Sequence, residues 1–167
     1  VETVYKTTGK VKDEIVKECA KSGCDFLLLG AAKSVFTDDK FGGKIKFFIK
    51  NNPANLGIFI DRGMDHINHI AIIIAEPADL RIVKYGIDMA KNSSAAITMI
   101  DEGNICKDTP QLQELIGEYG SKINFTHNNS TSVLKEADII ISSISYVKKN
   151  ARFFDEDAGM PSALIIN

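Results

Sequence analysis

Tryptophan is absent from this chain, cysteine occurs three times and proline four times in 167 residues, and neither sign of charge dominates. Each shortage excludes something. Three cysteines, an odd number with no C-x-x-C pair, offer neither a disulfide framework nor a zinc ribbon, and they predict reduced thiols in a cytosolic setting. Twenty basic residues against 22 acidic ones leave a net charge of −2. That removes the basic excess with which a general nucleic-acid binder tracks phosphates, so no nucleic-acid partner is expected. The longest strictly apolar run, Ile70–Ala75, is far short of the ~20 residues that a membrane-spanning helix needs. No signal-peptide pattern opens the chain, and no low-complexity stretch interrupts it. What remains is ordinary: 44% hydrophobic and 25% charged residues, enough for a globular core that buries roughly 70% of the unfolded surface. The chain opens on Val1 inside a strand-like stretch, which reads as a piece of a longer polypeptide.

The apolar pattern alternates between short continuous runs and segments of helical period. Strands are predicted at Glu2–Lys6, Asp25–Gly30, Leu56–Asp61, His69–Ala75, Ala95–Asp101, Lys122–Thr126, Ala137–Ile144 and Ser162–Ile166. Their Ile/Leu/Val-rich, mostly unalternating composition is that of parallel strands buried on both faces. Helices are predicted between them, at Val11–Ser22 (stopped by Gly23), Gly43–Asn51, Ala78–Lys91, a segment from Thr109–Pro110 to Tyr119, Ser130–Glu136 and Tyr146–Phe154. A polar hinge, Arg62–Asn68, separates two groups of elements. The order implies an α/β fold, an open and mostly parallel sheet with helices on both faces. A weak internal repeat makes the first part read as the last three strands of a unit whose complete second copy starts at His69. GCDFLLLGAA, residues 23–32, resembles EADIIISSIS, residues 136–145, and NPANLGIFID, residues 52–61, resembles GMPSALIIN, residues 159–167.

Two resemblances follow from these segments. The run CDFLLLGA, then GGKIKFFIKNNPANLGIFID, resembles the universal stress protein fold, in which a strand ending in glycine is followed by a Gly-rich turn, a helix and a strand behind proline. NPANLGIFIDRGM followed by HIAIIIAEPADLRIVKYGIDMAKNSSAAITMID is similar to the cytosolic tail of cation/proton antiporters of the monovalent cation:proton antiporter-2 family. The resemblance covers residues 10–101 well and 102–167 more loosely. It implies that residues 1–63 are the C-terminal part of a first stress-protein-like repeat and 64–167 a second one. It further implies a partner in an upstream membrane domain of the same polypeptide, whose intramembrane carboxylates carry transport, and a place at the cytoplasmic face of the membrane.

Among candidate sites the nucleotide loop comes first. ATP-binding stress proteins use G-x2-G-x9-G-[ST], in which glycines let backbone amides approach phosphates at a helix start. Here Gly30 and Gly43 keep two positions, while Lys33 replaces a glycine and Lys44 a Ser/Thr. A structural turn with Gly42–Gly43 opening a helix is the simpler reading, although Lys33, Lys40 and Lys44 still favour a phosphate. Any nucleotide, ATP or AMP, is expected at Gly30, Lys33, Gly42, Gly43 and Lys44, and no cofactor is firmly assigned. The matching segment of the second half, Ser142–Ser145, has no glycine and predicts no ATP there.

The other candidates have plain structural readings beside them. Asp61, Glu76, Asp79, Asp101 and Glu102 gather at strand ends, where oxygen ligands suit Mg²⁺ or Ca²⁺, but turn residues and helix caps explain them more simply. His66 and His69 stand three apart beside Asp65, too few for zinc, with a pH-sensing role as the sharper alternative. Asp61-Arg62-Gly63 predicts a left-handed turn at Gly63 and an Arg62–acid pair across the repeats. Cys19, Cys24 and Cys106 are expected as small buried apolar groups, Lys148–Arg152 as a solvated helix end, and the N-x-S/T matches as chance. With no nucleophile–base pair and no metal cluster in the pattern, the chain is expected to be a non-catalytic regulatory domain of an antiporter, with homodimerisation through open strand edges. A stand-alone stress protein binding ATP or AMP is the alternative.

Overall fold

A computed structural model describes residues 9–31, 42–106, 109–127, 131–150, 154 and 159–167. The strand expected at Glu2–Lys6 and the loop residue Lys33 lie outside them. Chain order is α1 (Val11–Ser22), β1 (Phe26–Ala31), α2 (Gly42–Asn51), β2 (Asn55–Ile60), β3 (His69–Ile74), α3 (Leu80–Ser93), β4 (Ala96–Asp101), α4 (Pro110–Ile116), β5 (Ile123–Thr126), α5 (Thr131–Lys135), β6 (Ile139–Ser143), α6 (Ile144–Lys149) and β7 (Ser162–Ile166). The strands form one seven-stranded sheet in the order β1-β2-β7-β6-β3-β4-β5. Every pairing is parallel except β2 with β7, which is antiparallel from Gly57↔Ile166 to Ile60↔Ala163. The α/β, mostly parallel architecture is the expected one, and the reversal at β2–β7 is what the pattern did not place.

The period of two along each strand sorts the apolar residues onto two faces. Leu56, Ile58, Ile60, Ala71, Ile73, Ile140, Ala163 and Ile165 share one core with Phe48, Val147 and Phe154. Ile70, Ile72, Ile74, Ile97, Met99, Ile139, Ile141, Leu164 and Ile166 share the other with Ile82, Val83, Ile87 and Ala90 of α3. Helices cover both faces, which is why the central strands read as unbroken isoleucine runs. Strand β1, at the edge of the sheet among the described residues, is only half covered, and Leu28 stays 56% exposed.

Several helix ends are set locally. Gly23 adopts φ +66° and its N–H reaches the Cys19 carbonyl, the αL cap expected of a glycine stop. Pro110 opens α4 after Thr109. Residues 151–153 of the helix expected at Tyr146–Phe154 lie outside the described residues, and its first part is α6, which starts earlier, at Ile144, and runs to Lys149. The reason is that Ser143 caps it: its Oγ accepts from the Tyr146 N–H at 3.3 Å, so β6 passes into α6 with no intervening residue.

One correction concerns the cysteines. Cys19 and Cys24 are joined as a disulfide, with Cα atoms 5.1 Å apart, rather than standing as separate reduced thiols. The turn at Gly23 brings them together, a proximity that a search for C-x-x-C spacing misses. Cys106 is a buried thiol, as expected.

The close approach of α3 to the sheet rests on Gly86, where a Cβ would strike the buried Ile72 side chain. Gly86→Ala is therefore expected to lower the unfolding free energy by about 1–3 kcal/mol, read as a reduced midpoint in urea denaturation.

Candidate functional site

Open α/β sheets bind ligands beyond the carboxyl ends of their strands, at the point where strand order reverses. The antiparallel β2–β7 pairing gives this sheet two such edges, facing opposite ways. At one edge lie the ends of β1 and β2, and at the other the ends of β3, β4, β5, β6 and β7.

The second edge has its switch point between β3 and β6, and the chain fills it with its own side chains. Ser145 Oγ donates to Glu76 Oε1 at 2.8 Å, and Lys149 Nζ stands 3.6 Å from Glu76 Oε2. Tyr146 donates its phenol proton to Glu102 Oε1 at 2.7 Å. Asp79 Oδ2 accepts the N–H groups of Ala75 and Glu76, forming a capping box with Glu76 at the turn after β3. Asp101 accepts from Ile105 N–H at 2.8 Å and Cys106 N–H at 2.9 Å. The carboxylates that cluster in sequence are thus turn and cap acceptors. Among the described residues no three His, Cys, Asp or Glu side chains converge as metal ligands. Cys106 faces the same carboxylate. Burial first, then the Asp101 charge and hydrogen bond, push its thiol up to about 12, so it stays protonated at neutral pH. Ser142 Oγ, fully buried on β6, has no hydrogen-bond partner among the described residues.

The first edge holds the glycine-rich candidates. Gly30 lies in β1, Gly42 and Gly43 open α2, and residues 32–41 with Lys33, like the Lys44 side chain, are outside what is described. A Cβ at Gly30 or Gly43 would meet no described atom within 4 Å. Packing among the described residues therefore does not demand glycine at either place.

Beside this edge, the Asp61-Arg62-Gly63 turn ties the two halves together. Asp61 Oδ1 accepts from the Gly63 N–H at 2.9 Å and the Met64 N–H at 3.3 Å, and Gly63 takes φ +88°, the expected left-handed turn. Among the described residues Arg62 bridges the halves through backbone carbonyls and a serine. Its Nη1 donates to the Pro161 carbonyl at 2.7 Å and its Nη2 to the Phe154 carbonyl, while its own N–H donates to Ser162 Oγ at 2.9 Å. A planar fork can satisfy two carbonyls at once, which is why arginine suits this corner.

A polar cleft of about 380 Å³ adjoins the turn, lined among others by Arg62, His66, Lys135, Asp138 and Ser162. Sequence reasoning missed it, because Lys135 and Asp138 stand some 70 positions from His66. His69 does not join His66 there. Its Nδ1 is 3.0 Å from the Glu136 carbonyl and its Nε2 2.8 Å from Thr98 Oγ1, so with Nδ1–H donating, the ring ties β3 to β4 and to the turn before β6. Asp138 Oδ2 accepts the N–H groups of Asn68 and His69.

No protein-family model matches the chain, and no curated protein matches it. Solved structures do. The chain is similar to a universal stress protein from Archaeoglobus fulgidus, at 13% identity and a TM-score of 0.57, over 92% of this chain and 64% of that one. It is similar to a putative universal stress protein from Pseudomonas aeruginosa, at 11% identity and a TM-score of 0.52, over 90% and 66% of the two chains. A functionally unknown protein from the same species matches at 11% identity and a TM-score of 0.54, over 96% and 68%. These likenesses define a universal stress protein-like α/β fold. The chain spans about two thirds of the length of each of these proteins. No helix among the described residues is long and apolar enough to cross a membrane.

Two consequences of the turn are measurable. Arg62→Lys keeps the charge but not the fork, and is expected to cost about 1.5–3 kcal/mol of unfolding free energy, measured by chemical denaturation. The Asp61 carboxyl sits below the ordinary value of 3.8 because of the Gly63 amide first, then that of Met64, with Ser162 adding to both. A folded value below the unfolded one means that the ionised form stabilises the fold above 3.8 and that this contribution fades as pH falls through the lower, folded value. Asp61→Asn should therefore flatten the acid limb of a stability–pH curve and leave its slope at neutral pH unchanged.

Proposed function

We propose that this chain is a non-catalytic regulatory domain of universal stress protein type that senses an adenine nucleotide at the Gly30/Gly43 edge and serves as the cytosolic domain of a cation/proton antiporter. The observation that carries the nucleotide part is the contrast between the two ligand edges. At β6–α6 strand runs straight into helix, and Glu76, Ser145, Tyr146 and Glu102 already hold one another. At β1–α2 the connection spans residues 32–41 between two glycines whose missing Cβ atoms face no described atom. Glycine that packing does not require is what close approach of a phosphate to backbone requires. The fold that carries this edge is similar to that of proteins named as universal stress proteins.

The antiporter part is supported by the Asp61-Arg62-Gly63 end of β2 followed by the His69–Asp101 pattern, which resembles the tails of that family. In this reading the membrane domain lies upstream in the same polypeptide and carries the transport chemistry. A ligand on the cytosolic domain biases transport only through unequal affinity for two of its states. Strand β1, with one strand neighbour among the described residues, offers an edge for homodimer pairing.

Isothermal calorimetry with ATP, AMP and cyclic dinucleotides tests the site. One of them should give saturable heat, and Lys44→Ala should weaken it about tenfold, the loss of one charge-assisted phosphate contact. Absence of heat with all of them removes the nucleotide reading. Unchanged affinity in the lysine variant removes its placement. A long hydrophobic region in the upstream coding sequence is expected for the antiporter reading, and a start codon immediately before Val1 instead gives the stand-alone stress protein.

A further inference from the structure

The end of α1 carries chemistry that the nucleotide reading does not use. Cys19 lies on the covered side of the helix at 6% exposure, and Cys24 follows the Gly23 cap, half-buried. The backbone brings the pair together. Gly23 turns the chain at φ +66°, and the Cys24 N–H donates to the Cys19 carbonyl at 3.0 Å. The resulting Cα separation of 5.1 Å is within the range a disulfide spans. The two sulfurs therefore meet through a cap that glycine and a backbone hydrogen bond build without them.

The bridge closes a loop of only five positions and links no distant parts of the sheet. It joins the last turn of α1 to the entry of β1, where the Asp25 carbonyl accepts from the Asn55 N–H at 3.0 Å. Upstream, Ile15 and Val16 of α1 pack into the same core as Ile45, Phe47 and Ile49 of α2, and Lys12 lies 5.0 Å over the Phe47 ring. The bridge thus lies at the end of the helix that packs on α2 at the edge of the sheet.

We propose that Cys19–Cys24 is a reversible redox modification site, closed and opened by a low-molecular-weight thiol–disulfide couple, whose oxidised form fastens the end of α1 to β1. Cys24, the more accessible sulfur, reacts first. Its thiolate attacks one sulfur of the small disulfide, that S–S bond breaks, and one small thiol departs with the proton. The Cys19 thiolate then attacks the Cys24 sulfur of the mixed disulfide and releases the second small thiol. Two protein thiols are oxidised and one small disulfide is reduced to two thiols, and excess small thiol runs both steps backwards. Cys106, 4% exposed and away from the pair in the second core, takes no part. The proposal does not rest on nucleotide binding, and a failed calorimetric test leaves it standing.

The experiment equilibrates the purified chain with glutathione mixtures from fully reduced to fully oxidised, quenches with acid, alkylates after unfolding and counts adducts by intact mass with peptide mapping. The expected result is joint protection of Cys19 and Cys24 in oxidising mixtures, with Cys106 always alkylated, full alkylation in reducing mixtures, and a midpoint between. Hydrogen exchange at the α1 end should quicken on reduction, and the melting temperature should fall by roughly 4–8 °C. Cys24→Ser should match the reduced protein in both readouts and no longer respond to the mixture. Alkylation of both cysteines at every ratio, or protection of both at every ratio, overturns the reversible site. So does accumulation of a glutathione adduct with no internal bridge. A reversible bridge that leaves exchange in α1 unchanged overturns its hold on the helix.

Discussion

The antiparallel pairing of β2 with β7 is the constraint on which the rest depends. It joins β1–β2 to the five strands β3–β7 in one sheet, and it buries Ile58, Ile60, Ala163 and Ile165 on a shared face. A strand edge left bare at this point would expose backbone groups and a row of isoleucines, so each half covers the other. The chain passes from β2 to β3 through residues 61–68 with no helix. That is long enough to cross the two intervening strands, because both strand ends lie on the same edge of the sheet.

The reversal also governs the chemistry. Because β2 and β7 run in opposite directions, the carboxyl ends of the two halves point to opposite edges and face different fates. At the β3/β6 switch point, carboxylates, hydroxyls and a lysine neutralise one another across the crevice. Charges held in this way are satisfied, and displacing them to admit an anionic ligand would leave Glu76 and Glu102 facing like charge. At the β1 edge a Cβ on Gly30 or Gly43 would meet no described atom within 4 Å.

Arginine at position 62 shows how a surface turn acquires structural weight. Its fork reads backbone carbonyls from residues 154 and 161, so it recognises the path of the chain. Asp61 holds the turn from the other side by accepting two amides. The polar cleft next to it draws residues from the hinge itself and from the segments around Lys135–Asp138 and Gly159–Ser162. A disulfide at the opposite end of the first half adds a local staple beside strand β1, which is only half covered.

How much of this was legible beforehand follows from the range of each interaction. The strands from Phe26 onward, the Gly23 stop, the Pro110 start and the α/β class were determined by the sequence alone. Burial on two faces demands unbroken apolar runs, and caps act within a few residues. The start of α6 at Ile144 was missed because a serine next to three isoleucines reads as strand until its hydroxyl is seen to cap a helix. The cysteine pair was missed because only the αL turn at Gly23 closes the distance. Tertiary structure alone decided the direction of β7, the carbonyls that Arg62 grips, the pairing of Glu76 with Ser145 and the cleft between His66 and Lys135. Those partners are separated by roughly 70 to 100 positions. Local periodicity says which residues turn inward, and only the pairing of whole strands says what they meet there.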